Sequence, residues 1–162
     1  MLEADHDEIE GLHSEIDKAL ALRKPELVLE KVDLFWARLA MHIRAEHLRL
    51  FPALLRKNEL KFEKLIELLR EDHNVFMHEL AGVMKTLRGV SNEPAETVRE
   101  KIMAVAIRLE RHNEIEEKRI YPLVDNLFDE DEIKQISAGV KKELENLPPR
   151  FNDQLRNTEK IS

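Results

Sequence analysis

A histidine and a glutamate four positions apart, a pair that occurs twice, constrain this chain more than any other feature. The two copies share a spacing and a proline that follows: His42-x3-Glu46 with Phe51-Pro52, and His112-x3-Glu116 with Tyr121-Pro122. Residues four apart on an α-helix project from nearly the same side, so the imidazole and carboxylate of one copy can reach a common point. An Asp-His pair precedes each copy, at Asp5-His6 and Asp72-His73. The pattern predicts two related helical hairpins, each supplying two histidines and one carboxylate.

Composition favours a helical protein with a single core. The chain has 162 residues, of which 43% are hydrophobic, 36% are charged and only four are glycine. A chain of this length buries roughly 70% of its unfolded surface on folding, which is enough for one hydrophobic core. Leu, Glu, Lys, Ala and Arg, which dominate the sequence, are good helix formers. We therefore predict an all-α fold in one domain.

Apolar residues recur at intervals of three and four along four segments, as expected of amphipathic helices. The predicted helices run from about Asp5 to Arg23, from Pro25 to about Leu50, from about Glu59 to Arg88, and from Pro94 through Glu116. His6, His73 and His112 occupy positions on these stripes that would otherwise be hydrophobic. We expect Phe51-Pro52 to end or kink the second helix before a short continuation to Lys57 and a turn at Asn58. Gly89 is expected to stop the third helix.

A further amphipathic segment follows Tyr121-Pro122. It spans about Asp129 to Glu145, and Leu147-Pro148-Pro149 should break it. The economical architecture is an up-down-up-down four-helix bundle with an additional C-terminal helix. We expect residues 1–146 to form this domain and residues 147–162 to form a polar, peripheral tail.

The two glutamates of the repeated pattern fall on core-facing helix positions, where their negative charges need a balancing partner. A buried carboxylate without a partner costs several kcal/mol, and two that face each other repel, so Glu46 and Glu116 need a cation or a proton. The chain has no cysteine, so a metal must be held by nitrogen and oxygen ligands. Imidazole with carboxylate suits Fe, Mn, Zn or Cu better than Ca or Mg. We predict a dinuclear site with iron as the leading metal and Mn or Zn as weaker candidates.

Charge and hydropathy limit the partners. The net charge is −7 and the Lys and Arg residues are scattered, whereas nucleic-acid binding normally needs a basic patch. The acidic N-terminus lacks the features of a signal peptide, and no stretch approaches 18 apolar residues. We therefore expect a cytoplasmic protein that contacts neither nucleic acid nor membrane. A protein partner and an oligomeric state are left open.

These residues and spacings resemble the hemerythrin-like (HHE cation-binding) domain family. The resemblance extends from His6 to about Pro122 and is carried by Asp5-His6, the two His-x3-Glu copies, and His73. It implies a non-haem di-iron centre, oxo or hydroxo bridged, inside a four-helix bundle. By this resemblance one metal takes His6 and His42, the other takes His73 and His112, and Glu46 and Glu116 bridge the two.

One departure from the oxygen carriers of this family bears on function. Those proteins have a further histidine one turn after the third-helix ligand, where this chain has Met77. His78 lies about 100° further around the helix and is a poor substitute. Four histidines would leave an open position on each iron, which suits reaction with or sensing of O2, NO or peroxide better than reversible storage. We expect a role in oxidative or nitrosative stress.

Two other classes of function remain open. One is an enzyme of NO or peroxide reduction, or an iron donor in repair of iron–sulfur centres, although this chain lacks the cysteine-containing N-terminal segment typical of the repair proteins. The other is a structural or interaction bundle that holds zinc or no metal.

The remaining histidines and aromatic residues are given lesser roles. His13 is expected to support the site or the core, and His47 and His78 to lie on the flanking surface. Phe51 and Tyr121 are most simply helix ends, with a hydrogen-bonding or redox role for Tyr121 as the weaker interpretation.

Overall fold

Four long helices form the body of the molecule. The computed structural model describes residues 1–57, 59–89 and 95–148. The helices are α1 Glu3–Ala21, α2 Pro25–Ala45, α3 Phe51–Leu55, α4 Leu60–Leu87, α5 Ala95–Ile115, α6 Tyr121–Leu127 and α7 Glu130–Leu144. Helices α2 and α5 each contact both α1 and α4, which closes the bundle, and α7 packs against α2. The described residues contain no strand. The predicted all-α bundle with an additional C-terminal helix is confirmed.

Local sequence explains several helix boundaries. Pro25 occupies the first turn of α2, where its missing N–H costs nothing. Helix α4 ends at Leu87, and Gly89 follows with φ +76°, the left-handed conformation that terminates helices, as predicted. Asp129 and Glu132 form a reciprocal capping box at the start of α7. The predicted turn at Asn58 and first-turn role of Pro94 fall outside the described residues.

A layer of buried polar residues divides the core in two. Along each long helix and the residues adjoining it, a histidine separates a residue of one apolar cluster from a residue of the other: Leu2 from Ile9, Leu50 from Leu39, Leu69 from Phe76, and Ile120 from Leu109. The lower cluster contains Leu2, Leu50, Leu69 and Ile120, and the upper cluster contains the other four. The predicted apolar stripes therefore face the core, and the histidines interrupt them at one level. Among the described residues, no helix is long and apolar enough to cross a bilayer.

Two π-helical turns were absent from the sequence prediction. They span Glu46–Leu50 and Glu116–Ile120, and each joins a long helix to a short one. The N–H of Phe51 donates to the Glu46 carbonyl and the N–H of Tyr121 to the Glu116 carbonyl, both five residues back. The next residue is proline, which has no N–H and whose ring would clash with the carbonyl four residues earlier, so a regular α-helical turn is disfavoured there. The prolines widen the helix rather than end it.

Helix α7 is fastened to the first of these π-turns by charge. Glu143 is buried and accepts hydrogen bonds from Arg44 at 3.0 Å and from Arg49 at 2.7 Å. The guanidinium groups of Arg49 and Arg44 hold the pKa of Glu143 below its usual value. Ile136 and Val140 pack into the lower apolar cluster. The extra helix is thus part of the folded body.

The predicted tail begins with a packed residue. Leu147 contacts Leu34 and Ala37 on α2, so the chain remains attached after α7 ends. Residues 149–162 lie outside the described part of the chain. The boundary between a domain of residues 1–146 and a tail of residues 147–162 therefore stays a prediction.

We predict that Leu80→Ala destabilises the protein much more than Leu68→Ala on the same helix. Leu80 is fully buried, whereas Leu68 is 46% exposed. Truncating a fully buried leucine costs about 3 kcal/mol, and truncating an exposed one costs roughly 0.5 kcal/mol or less. Urea unfolding of both variants measures the difference. Equal losses of unfolding free energy would contradict the core assignment.

Candidate metal centre

The structure brings together all six residues predicted to form the site. The histidines come one from each long helix, and the glutamates are the first residues of the two π-turns: His6, His42, His73, His112, Glu46 and Glu116. All six lie within the polar layer and are at most 4% exposed. Residues far apart in sequence therefore surround one small volume at the centre of the bundle.

Two overlapping groups of potential ligand atoms occupy this volume. In the first, one atom from each of Glu46, His73, His112 and Glu116 lies within 4.8 Å of every other; in the second, the same holds for His6, His42 and Glu116. Glu116 belongs to both groups. This division of the histidines has the same pairing that the family resemblance implied.

Each glutamate directs its two oxygens toward histidines of different groups. Oε1 of Glu46 lies 3.4 Å from Nε2 of His42, and Oε2 of Glu46 lies 3.2 Å from Nε2 of His73. Oε1 of Glu116 lies 3.0 Å from Nε2 of His112, and Oε2 of Glu116 lies 3.2 Å from Nε2 of His6. A carboxylate placed in this way can bridge two cations.

Several of these buried atoms have no hydrogen bond within the described part of the chain. They are both carboxylate oxygens of Glu46, Oε1 of Glu116 and Nε2 of His42. In addition, the Nε2 atoms of His73 and His112 approach to 3.0 Å, where they can share at most one proton. Buried polar atoms are normally satisfied, and a cation would satisfy all of these at once. The cluster therefore fits metal binding.

Two aspartates orient two of the histidines. Nδ1 of His42 donates to Asp5 at 2.7 Å, and Nδ1 of His112 donates to Asp72 at 3.2 Å. A proton held on Nδ1 leaves the Nε2 lone pair directed at the centre of the site, as metal-ligating histidines require. Both aspartates precede a histidine in the sequence, but their hydrogen bonds to His42 and His112 were not predicted.

Each aspartate is in turn bound by an arginine. Arg38 donates to Asp5, and Arg108 donates to Asp72 at 2.7 Å. Both arginines stand four residues before the histidine, so the full repeat is Arg-x3-His-x3-Glu, beginning at Arg38 and Arg108. This longer repeat was present in the sequence and could have identified the arginines.

His47 is a correction to the sequence analysis, which placed it on the flanking surface. It is only partly exposed, and its Nε2 lies 2.8 Å from Nδ1 of His73. Burial, together with the charges of His73 and Arg70, lowers the pKa of His47, so the neutral ring can accept a hydrogen bond from Nδ1 of His73. The equivalent residue in the second half, directly after Glu116, is Glu117, which contacts Nδ1 of His6 at 2.8 Å.

The other histidines lie where the sequence analysis expected them. His78 is exposed, and Met77 is partly buried against the upper apolar cluster. His13 is partly buried beside Phe35 and belongs to neither ligand group. It lines a cleft of about 780 Å³ between α1 and α5 that reaches the centre at His6.

The π-turns bring an aromatic ring onto the site in each half. Leu50 and Phe51 are both fully buried, and the Phe51 ring stacks on His73 with an interplanar angle of 9°. Tyr121 takes the matching place beside His6, with its hydroxyl 3.0 Å from His6 Nε2 and 3.2 Å from Glu116 Oε2. The two halves therefore differ in one hydroxyl group at the centre. Both aromatic residues therefore contact the cluster, which the prediction of simple helix ends did not include.

Protonation shows how strongly the cluster attracts positive charge. Burial alone would lower the pKa of His42, yet Glu46 and Asp5 raise it well above its usual value. Burial alone would raise the pKa of Glu116, yet the neighbouring imidazoles of His112, His42 and His6 lower it well below its usual value. Burial and the two glutamates raise the pKa of Tyr121, which stays a neutral donor. Protons and metal ions thus compete for the same nitrogen and oxygen atoms.

Comparison with known proteins identifies the family. A family model described as the hemerythrin HHE cation binding domain matches residues 1–124. No curated protein and no solved structure matches the chain. The matched segment contains all six residues of the cluster, while α7 lies beyond it. The chain belongs to the hemerythrin HHE cation-binding domain family.

Proposed function

We propose that this protein binds two iron ions at the buried cluster. The observation that carries the proposal is a set of fully buried carboxylate oxygens that have no hydrogen bond among the described residues and face imidazole nitrogens from four helices. His6 and His42 would hold one ion, His73 and His112 the other, and Glu46 and Glu116 would be shared. Nitrogen and oxygen ligands of this kind suit iron, with manganese or zinc as weaker candidates.

The proposed role is to bind or sense O2, NO or a related oxidant in oxidative or nitrosative stress, in the cytoplasm. Iron in such a site supplies reversible binding of, or electron transfer to, these small molecules. Four histidines and two shared glutamates give four protein ligands to each metal, which leaves room for an added ligand. Met77 supports this count, since it stands where a further histidine would reduce that room.

The surrounding residues prepare the site for this role. Asp5 and Asp72 hold protons on the outward nitrogens of His42 and His112, so the inward nitrogens stay available. The apolar clusters on either side of the polar layer exclude water, which strengthens electrostatic attraction inside. Tyr121 can donate a hydrogen bond to an oxygen atom at the centre.

Enzymatic reduction of NO or peroxide is a second candidate, and Tyr121 is the observation that favours it. A buried, neutral hydroxyl beside His6 and Glu116 can donate a hydrogen bond at the point where a bound oxidant would gain negative charge during reduction. Repeated turnover with an added reductant would distinguish this enzyme from a protein that only binds its ligand.

We predict that the chain, purified from iron-supplemented cells, contains about two irons, and that Glu46→Ala or His112→Ala loses at least one of them. Each variant removes a ligand and leaves the other buried groups uncompensated, so the melting temperature of the loaded protein should fall. Plasma mass spectrometry and thermal unfolding measure both effects.

The matched control for these variants is His78→Ala on the exposed face of α4, which should keep both irons. Full metal content in Glu46→Ala and His112→Ala would show that the proposed ligands are wrong. A colourless protein whose melting temperature is unchanged by chelators would favour a structural bundle.

We predict opposite pH dependences for the metal-free and the loaded protein. The raised pKa values of His42 and His112 stabilise the metal-free fold fully below pH 6.5, and this contribution is lost as the pH rises through the folded values. The lowered pKa of Glu116 stabilises the fold above pH 4.5, and this contribution is lost as the pH falls through the folded value. Metal binding instead requires neutral imidazole and strengthens as the pH rises.

Melting temperatures measured from pH 5.5 to 8.5, with chelator and with metal, test this prediction. The metal-free protein should become less stable across that range, and the stabilisation by metal should grow. Parallel curves with and without metal would contradict the competition between protons and metal.

We predict that Tyr121→Phe keeps the metal but weakens binding of a small anion such as azide by about tenfold, the effect of losing one hydrogen bond of roughly 1.4 kcal/mol. The change leaves the ring in place and makes this half resemble the Phe51 half. Spectroscopic titration with azide measures the affinity. An unchanged affinity would exclude the hydroxyl as a donor to bound ligand, and Phe128→Leu in the lower apolar cluster serves as the aromatic control.

A further inference from the structure

Helix α7 lies outside the segment that matches the family, yet it is bonded to the part of α2 and the π-turn that carry His42 and Glu46. It packs on α2 and on the first π-turn and covers part of the lower apolar cluster. Its contacts with this region are hydrogen bonds and ion pairs as well as apolar packing. Two separate routes connect its last turns to the cluster.

The first route passes through Arg38. Nη1 of Arg38 donates to the carbonyl oxygen of Leu144 at 3.1 Å, and Nη2 donates to Asp5. The other carboxylate oxygen of Asp5 accepts the hydrogen bond from Nδ1 of His42. Three consecutive hydrogen bonds therefore link the end of α7 to an imidazole of the cluster.

The second route passes through Glu143. Its side chain is only 9% exposed and accepts from Arg44 at 3.0 Å and from Arg49 at 2.7 Å. Arg44 precedes Glu46 by two residues, and Arg49 follows it by three within the same π-turn. A single buried carboxylate thus holds both sides of the segment that presents Glu46.

The Arg49 side chain crosses α7 at a glycine. A Cβ atom on Gly139 would lie 2.9 Å from Cδ of Arg49, closer than carbon atoms normally approach. Glycine at this position allows Arg49 to lie flat against α7 and to reach Glu143. This close packing supports a specific docking of the helix.

The second His-x3-Glu pair has no comparable support among the described residues. Arg108, the counterpart of Arg38, is 48% exposed and bonded to Asp72. Glu114 replaces Arg44 in the repeat and pairs with Lys118 on the exposed surface. The bracing by α7 is therefore confined to one half of the cluster.

We infer that Glu143 is a positioning residue for the metal centre, acting through Arg44 and Arg49 on Glu46, and that metal binding and docking of α7 are coupled. The inference rests on the proposed metal-binding function. Because coupling between two events is reciprocal, α7 raises metal affinity and bound metal tightens α7. Loss of metal loosens α7 and exposes the apolar face that contains Ile136 and Val140, which gives the domain a conformational output.

The test compares Glu143→Gln with Glu145→Gln in the full chain. Glu145 lies two residues further on, and its side chain is 66% exposed. Anaerobic competition for Fe²⁺ against a chelator measures affinity, and unfolding with excess chelator measures metal-free stability. Glu143→Gln should lower Fe²⁺ affinity by about fivefold or more, while Glu145→Gln leaves it unchanged. A purely structural Glu143 would lower metal-free stability and leave affinity unchanged, which would overturn the inference.

Gly139→Ala provides a second variant if Glu143→Gln folds poorly. The added methyl group displaces Arg49 without removing a charge, and the same loss of Fe²⁺ affinity is expected. Unchanged affinity in this variant would also overturn the inference.

Hydrogen exchange tests the reciprocal effect. Fe²⁺ should slow amide exchange in α7 of the natural chain, and Glu143→Gln should reduce that slowing. Exchange in α7 that is identical with and without bound Fe²⁺ would overturn the coupling alone. A chain that binds no Fe²⁺ at all would overturn the proposed function together with the inference.

Discussion

Two glutamates with no exposed surface require the rest of this structure to supply positive charge at the centre of the bundle. Glu46 and Glu116 lie at the centre of a helical bundle, where an uncompensated charge would cost several kcal/mol. Four imidazoles surround them, each supplied by a different helix. The bundle can bury these carboxylates only because positive charge, from protons or from metal, is available at the same place. A polar layer that divides the hydrophobic core follows from this requirement.

The site is supported by an approximate internal repeat that extends beyond the ligands. In each half an arginine binds an aspartate, the aspartate binds Nδ1 of a histidine, and the glutamate one turn later faces the centre. Each half also contains a π-turn, because a proline six residues after the glutamate prevents a regular helical turn. The wider turn places Phe51 or Tyr121 over the cluster.

The two halves differ in two respects: in the aromatic residue that a small ligand would contact, and in their attachment to helix α7. Tyr121 supplies a hydroxyl beside His6 and Glu116, while Phe51 supplies only a ring beside His73. Helix α7 braces the first His-x3-Glu pair through Arg38 and Glu143, whereas Arg108 and Glu114, which take the places of Arg38 and Arg44 in the second half, are exposed. The half that contains the second His-x3-Glu pair thus offers a hydrogen-bond donor at the cluster, and the half that contains the first pair is connected to the additional helix.

The sequence by itself determined the helices, the inward direction of the histidines and the six residues that converge. These follow from spacing along single helices, where three or four residues make one turn whatever the partner. The tertiary structure alone decided how His47 and Tyr121 contact the cluster and how α7 reaches His42. Such contacts join residues 26 to 115 positions apart, and no local periodicity encodes them. The π-turns lie between these cases, because the prolines were visible but whether the helix would end or widen depended on the packing of Leu50 and Phe51 in the core.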